Sequence, residues 1–397
     1  MCLATAPSAF ADSRSDDPAF SLDSSSECKF GGKNIASTPW SLQRIIMDQL
    51  KDKATGKGVT VAVIDTGVDD DNKQLAGQMA SKGKDFVGGR ADGTQDLQGH
   101  GTKVAGIIAA KKVPNSGFMG LAPDAKILPI RYTGAAGKNG KVKNGNSDTM
   151  VAAINYAVEQ RVQIINISSD TQGRRDPEAL RIAIQEAVDA GIIVVAAAGN
   201  AGVDGLSKKT YPASYDGVVA VAASDRNDER AFFSQAGDFV DIAAPGVDMV
   251  STVPKGGQCT DQGTSFAAPY VAGVAALMKD RYPEWNSKQI IARMQETAQR
   301  PTAEPNRYVG WGVVDPLAAL SNSTEPGETP KPEAPQQAGS GQVTPMRVTM
   351  GETPAERDRR IAIYVLGAGL LLVFVAGGSG IAVRDWRRKK AGGLGTD

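Results

Sequence analysis

The apolar positions of this chain change their period from one stretch to the next. Val59-Thr60-Val61-Ala62-Val63-Ile64 and Ile192-Ile193-Val194-Val195-Ala196-Ala197-Ala198 are near-continuous apolar runs rich in β-branched residues, the pattern of strands buried on both faces. Shorter runs of the same kind predict strands at residues 127–132, 163–167, 218–223 and 239–242. Between the runs the apolar spacing widens to that of a helix, which predicts helices over 101–110, 149–160, 177–190, 265–281 and 287–296. Strands and helices alternating in this way predict an α/β fold, with a largely parallel sheet flanked by helices on both faces. Residues 39–50 read as a short amphipathic helix leading into that domain, and 133–147, rich in Gly, Lys and Asn, as a long exposed loop.

The two ends of the chain follow different patterns. A stretch of 23 residues without a charge begins at Ile361 and ends at Val383. As a helix it measures about 34 Å, enough for a hydrocarbon core of about 30 Å, and predicts one C-terminal transmembrane helix. The segment after it, Arg384-Asp385-Trp386-Arg387-Arg388-Lys389-Lys390, carries five basic residues and one acid. The segment before it, 352–360, has three of each, so the positive-inside rule puts 384–397 in the cytoplasm and the main domain outside. Six prolines between 325 and 354 describe an extended tether rather than a core. At the other end residues 3–11 are apolar and small, and Ala9-Phe10-Ala11 before Asp12 has the pattern of a signal-peptidase site without the basic start. The expected layout is a remnant signal peptide 1–11, an N-terminal extension 12–54, one domain over 55–320, a proline-rich linker 321–360, the membrane helix 361–383 and a basic tail 384–397. An unprocessed disordered terminus is the alternative for the first eleven residues.

Charge narrows the function classes. Lys and Arg total 44, as do Asp and Glu, so the chain as a whole exerts no net pull on a nucleic acid, and no nucleic-acid partner is expected. No Cys/His cluster suggests a metal, and no cofactor is expected. Removal of a signal peptide ending at Ala11 discards Cys2 and leaves Cys28 and Cys259. An even pair outside the cytoplasm favours a disulfide over two free thiols. With Cys259 six residues before Ser265, the bridge would clamp the extension beside that serine.

The 397 residues include one histidine, His100. Asp65, at the end of the first apolar strand, lies 35 residues before it, and Ser265, at the start of a predicted helix, lies 165 residues after it. Strand ends and helix starts are where open α/β sheets place their ligands. Aspartate, imidazole and hydroxyl are also what acyl transfer needs. The serine attacks, the imidazole takes and returns its proton, and the carboxylate fixes the ring tautomer. The order Asp, His, Ser is the chain order of subtilisin. Asn200, in Gly199-Asn200 at the end of the second apolar strand, supplies a side-chain amide for an oxyanion, together with the Ser265 backbone N–H. Each residue alone has an ordinary structural use: Asp65 as the start of an Asx turn, Asn200 as turn chemistry, His100 as a packed ring.

Asp65-Thr66-Gly67, His100-Gly101-Thr102, Ala198-Gly199-Asn200 and Gly263-Thr264-Ser265-Phe266-Ala267-Ala268-Pro269 resemble the signatures of the subtilisin-like (S8) serine peptidases. Leu121-Ala122-Pro123-Asp124-Ala125-Lys126-Ile127 and Asn166-Ile167-Ser168 add to the likeness, which covers about 55–320. With its extension, linker, membrane helix and tail, the whole chain resembles the mycosins, membrane-anchored proteases of type VII secretion systems. That resemblance implies protein or peptide substrates, a place beside the secretion membrane complex, and an extension wrapped around the catalytic domain. It also implies an alternative, a mainly structural subunit with dispensable proteolysis. Two departures stand out: mycosins commonly carry more than one disulfide, and Ser168-Ser169-Asp170-Thr171 replaces a Ser-Leu-Gly-like run that pairs with substrate backbone.

Overall fold

In the computed structural model the apolar runs become strands whose alternate side chains serve two separate cores. The structure describes residues 20–21, 28–45, 47–80, 83–136, 142–143, 145–171, 176–204, 208–300, 304–331 and 354–391. The expected signal peptide, most of the first half of the extension, residues 332–353 of the linker, part of the 133–147 loop and the last six residues lie outside them.

The N-terminal extension contributes β1 (Phe20–Ser21), α1 (Trp40–Gln43) and α2 (Met47–Lys53). The domain continues with β2 (Thr60–Asp65), β3 (Lys84–Asp85), α3 (His100–Ala109), β4 (Lys126–Arg131), β5 (Ala135–Ala136), β6 (Val142–Lys143) and α4 (Ser147–Glu159). Next come β7 (Ile164–Ile167), β8 (Asp170–Thr171), α5 (Glu178–Asp189), β9 (Ile193–Ala197), β10 (Val218–Ser224), β11 (Ile242–Pro245), β12 (Met249–Thr252) and β13 (Gln258–Asp261). Helices α6 (Thr264–Arg281), α7 (Ser287–Glu296), α8 (Pro316–Ser321) and α9 (Pro354–Ala391) follow. Seven strands form one sheet in the order β11-β10-β9-β7-β2-β4-β3, each neighbouring pair parallel.

Both faces of the sheet are covered, which explains why its strands show no polar alternation. Along β2, Val61 and Val63 enter the core that holds α3 and α6, while Ala62 and Ile64 enter the core that holds α4 and α5. Along β9 the same split sends Ile193, Val195 and Ala197 one way and Val194 and Ala196 the other. Helix α3 is buried along its whole length and α6 from Thr264 to Met278. Their small residues let them lie close to the sheet. Truncating fully buried Ile108 or Leu277 to alanine therefore costs about 2–5 kcal/mol.

Several short elements lie outside the sequence pattern, among them β3, α8 and the β5–β6 pair within the expected 133–147 loop, and three further departures are instructive. The strand expected at 239–242 is β11, three residues later, because Val240 is apolar for another reason: it packs with Val309 and Val313 while its N–H closes a turn on Gly237. The helix expected over 39–50 is two helices, α1 and α2, separated after Gln43. The β12–β13 hairpin carried too few apolar residues to stand out.

Residues 336–397 form a unit of their own. In it, the stretch Arg357–Arg388 of α9 holds an 18-residue window with a mean hydropathy of 2.3 and is long and apolar enough, by length and composition, to cross a membrane.

Candidate active site

The carboxyl ends of β2, β7 and β9 and the first residues of α3 and α6 meet at one edge of the sheet. Asp65 is the last residue of β2, His100 the first of α3, and Ser265 the second of α6. All three are buried. His100 Nδ1 lies 2.8 Å from Asp65 Oδ1, which also accepts the Thr66 N–H at 2.7 Å. That pairing puts the proton of a neutral imidazole on Nδ1 and leaves Nε2 as the basic nitrogen. Among the described residues Nε2 has no hydrogen-bond partner. The Ser265 hydroxyl donates to the carbonyl of Ser168, 2.9 Å away, and the ring of its neighbour Phe266 lies 5.4 Å from the imidazole, centre to centre. The three residues singled out in the sequence thus lie at the same edge of the sheet.

The close approach of α3 to β2 depends on Gly101. A β-carbon there would strike the Gly67 carbonyl and come within 3.0 Å of Asp65 Cβ, so any side chain would push the imidazole away from its carboxylate.

Asn200 follows β9 and is fixed through its own oxygen. Oδ1 accepts the Thr264 N–H and hydroxyl, each at 2.9 Å, and the Thr264 hydroxyl also takes the Gly199 N–H at 3.1 Å. Holding Oδ1 in this way turns Nδ2 outward. Among the described residues neither Nδ2 nor the Ser265 N–H has an acceptor. Two donors at the mouth of a helix N-terminus suit a developing oxyanion. Helix α6 contains Pro269 in its second turn; the missing N–H leaves the Ser265 carbonyl without its usual partner four residues on.

Asp96 and the Lys103–Asp261 pair, which sequence reasoning passed over, hold this frame together with the expected Cys28–Cys259 disulfide. Asp96 is buried beneath the start of α3. Its Oδ1 accepts from Thr66 Oγ1, Gln98 N and Gly99 N, and its Oδ2 from Thr102 N and Oγ1, at 2.6–3.1 Å. Burial pushes its carboxyl above the usual range, against the pull of those donors. An acid just before a predicted helix start was the available signal. Lys103, one turn after His100, pairs at 2.5 Å with Asp261 on β13, and both are buried. The partners are 158 residues apart, so no local pattern announced them. The Cys28–Cys259 disulfide joins the extension to the same strand, with Cα atoms 5.7 Å apart. Around it, Gly31 N donates to the Pro254 carbonyl, Gln258 N to that of Lys33, and Ile35 N to the Gln258 side chain.

Among the described residues, Asp69, Asp70 and Asp71 are grouped closely enough to hold a metal ion. Asp69 already accepts the amides of Asp71 and Lys255, and Asp70 faces Arg90 at 3.9 Å.

Residues 56–312 match the subtilase family of serine peptidases. The chain is 33% identical to Mycosin-1 of Mycolicibacterium smegmatis over 406 residues, which spans 90% of this chain and 87% of that one. It is 38% identical to Subtilisin Savinase of Lederbergia lenta over 287 residues, 71% of this chain and 98% of that one. Among solved structures, MycP1 with its N-terminal propeptide removed superposes with a TM-score of 0.64 at 34% identity, covering 73% of this chain and 99% of that one. MycP3 from the type VII (ESX-3) secretion system gives 0.65 at 29% identity, covering 77% and 92%.

Proposed function

Because the chain belongs to the subtilase family and is a subtilisin-like serine endopeptidase, related to the mycosins, we propose that Asp65, His100 and Ser265 are its catalytic triad and Asn200 its oxyanion donor. The observation that carries this reading is the buried 2.8 Å contact between Asp65 and His100, which leaves Nε2 as the basic nitrogen of a ring 5.4 Å from that of Phe266, the neighbour of Ser265. Rotation about the Ser265 Cα–Cβ bond turns the hydroxyl from Ser168 towards Nε2. Oγ then forms a bond to the scissile carbonyl carbon as its proton passes to Nε2. The carbonyl electrons move to oxygen, where Asn200 Nδ2 and the Ser265 N–H receive them. As the C–N bond breaks, the leaving amine takes the proton from His100. Water repeats the sequence on the acyl group and restores Ser265.

The substrate class and setting come from the relatives. We propose that the chain processes proteins exported by a type VII secretion system while anchored by residues 361–383. The domain over 55–320 then lies outside the membrane, 321–360 is the tether, 384–397 is the cytoplasmic tail, and 1–11 is the remnant of an export signal. Support comes from the alignment with Mycosin-1, which extends well beyond the residues that match the subtilase family, and from the basic segment after Val383.

The test is a fluorophosphonate probe on the detergent-solubilised full chain, with the labelled residue mapped by mass spectrometry. Labelling at Ser265, abolished by Ser265→Ala and by His100→Ala, is the expected result. Folded protein that takes up no probe, or takes it up elsewhere, would overturn the triad. Externally added protease should remove the domain from intact cells and spare the tail; loss of the tail would overturn the orientation.

A further inference from the structure

Helix α3 carries a buried cation that the reaction above does not use. Lys103 follows His100 by three positions, which places the two side chains on one face of the helix. Both are buried, and a lysine is almost never so without a partner. Its partner is Asp261 on β13, whose buried Oδ2 lies 2.5 Å from Nζ. The Cys28 sulfur, from the extension, lies 3.9 Å from the same ammonium.

Each partner is joined to a reacting group by a few residues of chain. On the side of the base, the carbonyls of Thr102 and Lys103 accept the hydroxyls of Thr252 and Ser251 on β12, at 2.8 and 2.6 Å. On the side of the nucleophile, Asp261 lies four residues before Ser265. Its Oδ1 accepts the Gln262 N–H at 2.8 Å, where the chain leaves β13 for α6. The ring of Phe266, next to Ser265, completes the link. Its centre lies 5.4 Å from that of the imidazole and 5.4 Å from the Lys103 ammonium. An ion pair thus joins the segment that carries the base to the segment that carries the nucleophile, with one aromatic ring between its cation and the imidazole.

Stability alone does not call for such a pair. Desolvation offsets much of the attraction between two buried charges, and well-packed apolar residues of similar volume often hold a fold as firmly. What a pair can add is register, since ammonium and carboxylate meet in few geometries while apolar surfaces slide. Resting on the triad read above, we propose that Lys103 and Asp261 are positioning residues: together they set His100 against Ser265, and their opposite charges balance at the imidazole. Without Asp261, the ammonium would oppose the positive charge that His100 gains when it takes the serine proton. Without Lys103, the carboxylate would favour it. The other charged groups around His100 are Asp65 on β2, Asp69 and Asp96 in the loops beside α3, Arg131 with Asp85 on β4 and β3, and Asp170 after β7. Thr264–Pro269 of α6 and all of β12 carry none.

The test follows the rate at which a fluorophosphonate labels Ser265 in the detergent-solubilised full chain, beside urea unfolding of the same preparations. The double variant Lys103→Met/Asp261→Leu removes both charges and leaves neither one stranded. It should unfold at the same urea midpoint as the unmodified protein or a higher one. Its labelling should nevertheless be slower by roughly 10- to 100-fold, the size of a small misplacement of reacting groups. Among the single variants, the acid limb of the labelling rate should lie lower in Asp261→Asn than in Lys103→Met, by about one pH unit. An undiminished rate in the double variant would overturn the proposal, as would a loss that merely follows a lower urea midpoint or a failure to fold. Coincident acid limbs in the two single variants would overturn the balance of charges at His100; where a single variant does not fold, the double variant decides alone. In all these cases labelling of the unmodified protein at Ser265 leaves the triad standing. Failure of that labelling would remove the triad and the positioning pair with it.

Discussion

Helices α3 and α6 begin at the same edge of the sheet and face the same physical problem, N-terminal amides with no helical acceptor. They solve it in opposite ways. Beneath α3 the chain supplies its own anion: Asp96 accepts the amides of Gln98, Gly99 and Thr102 and two threonine hydroxyls besides. At α6 the only side-chain acceptor among the described residues is Asn200 Oδ1, which satisfies Thr264 and leaves the next amide, that of Ser265, unpaired. One helix end is closed by a carboxyl group of the chain itself, and the other, in the proposed mechanism, is held open for a charge that exists only during reaction. In the proposed triad the base therefore sits on the fixed helix and the nucleophile on the receptive one, and Lys103–Asp261 ties α3 to the strand that precedes α6.

Ser265→Ala attacks the receptive end most severely. Turnover should fall by about 10⁶, the magnitude known for the subtilisin serine. The melting temperature should change little, since the hydroxyl makes one hydrogen bond, worth about 1 kcal/mol. Steady-state hydrolysis and a thermal melt of the same preparations measure both. Retained turnover would remove Ser265 from the chemistry.

Asn200→Ala tests the same end with the nucleophile in place. Turnover should drop by about 10² to 10³ with KM nearly constant, because the amide is asked to bind charge only in the transition state. A rise in KM at constant kcat would instead make Asn200 a substrate-binding residue and blunt the contrast between the helices.

Asp96→Ala is the reverse experiment, made at the closed end. It leaves five donors beneath α3 without their acceptor, so the loss should appear in stability, about 3 kcal/mol or more by urea unfolding. An unchanged urea midpoint with a collapse in turnover would mean that the start of α3 is as directly catalytic as that of α6. The comparison would then fail.

Much of this frame was legible in the sequence because its signals are local. The strands β2 and β9 announced themselves by runs of valine and isoleucine, and the single histidine, set between Asp65 and Ser265, pointed to one chemistry. What was not legible depends on contacts between distant segments. Asp261 looks like any acid in a turn-rich stretch until Lys103, 158 residues away, is brought against it. Asp170 reads as an odd residue in a familiar run until the fold packs its carboxylate against Gly199, 29 residues on. Val240 misplaced a strand because an apolar residue signals burial, whatever the backbone does around it.

Asp241, one residue before β11, sharpens the contrast between carboxylates that do different amounts of structural work. Asp96 accepts five hydrogen bonds. Asp241 accepts two, from Ala220 N at 2.9 Å and from Gln295 Nε2 at 3.3 Å, and burial pushes its carboxyl up to about 6. Between about pH 4 and 6 the folded protein therefore holds a proton on Asp241 that the unfolded chain has released. Stability from this group is greatest on the acid side and declines as pH rises through that window, by no more than about 3 kcal/mol in all. Asp241→Asn removes the proton exchange. Its unfolding free energy should fall less between pH 4 and 7 than that of the unmodified protein, with the two closest at pH 4. Urea titrations at both pH values read the difference. Parallel pH dependence in the two proteins would mean that the two donors already compensate the burial of Asp241.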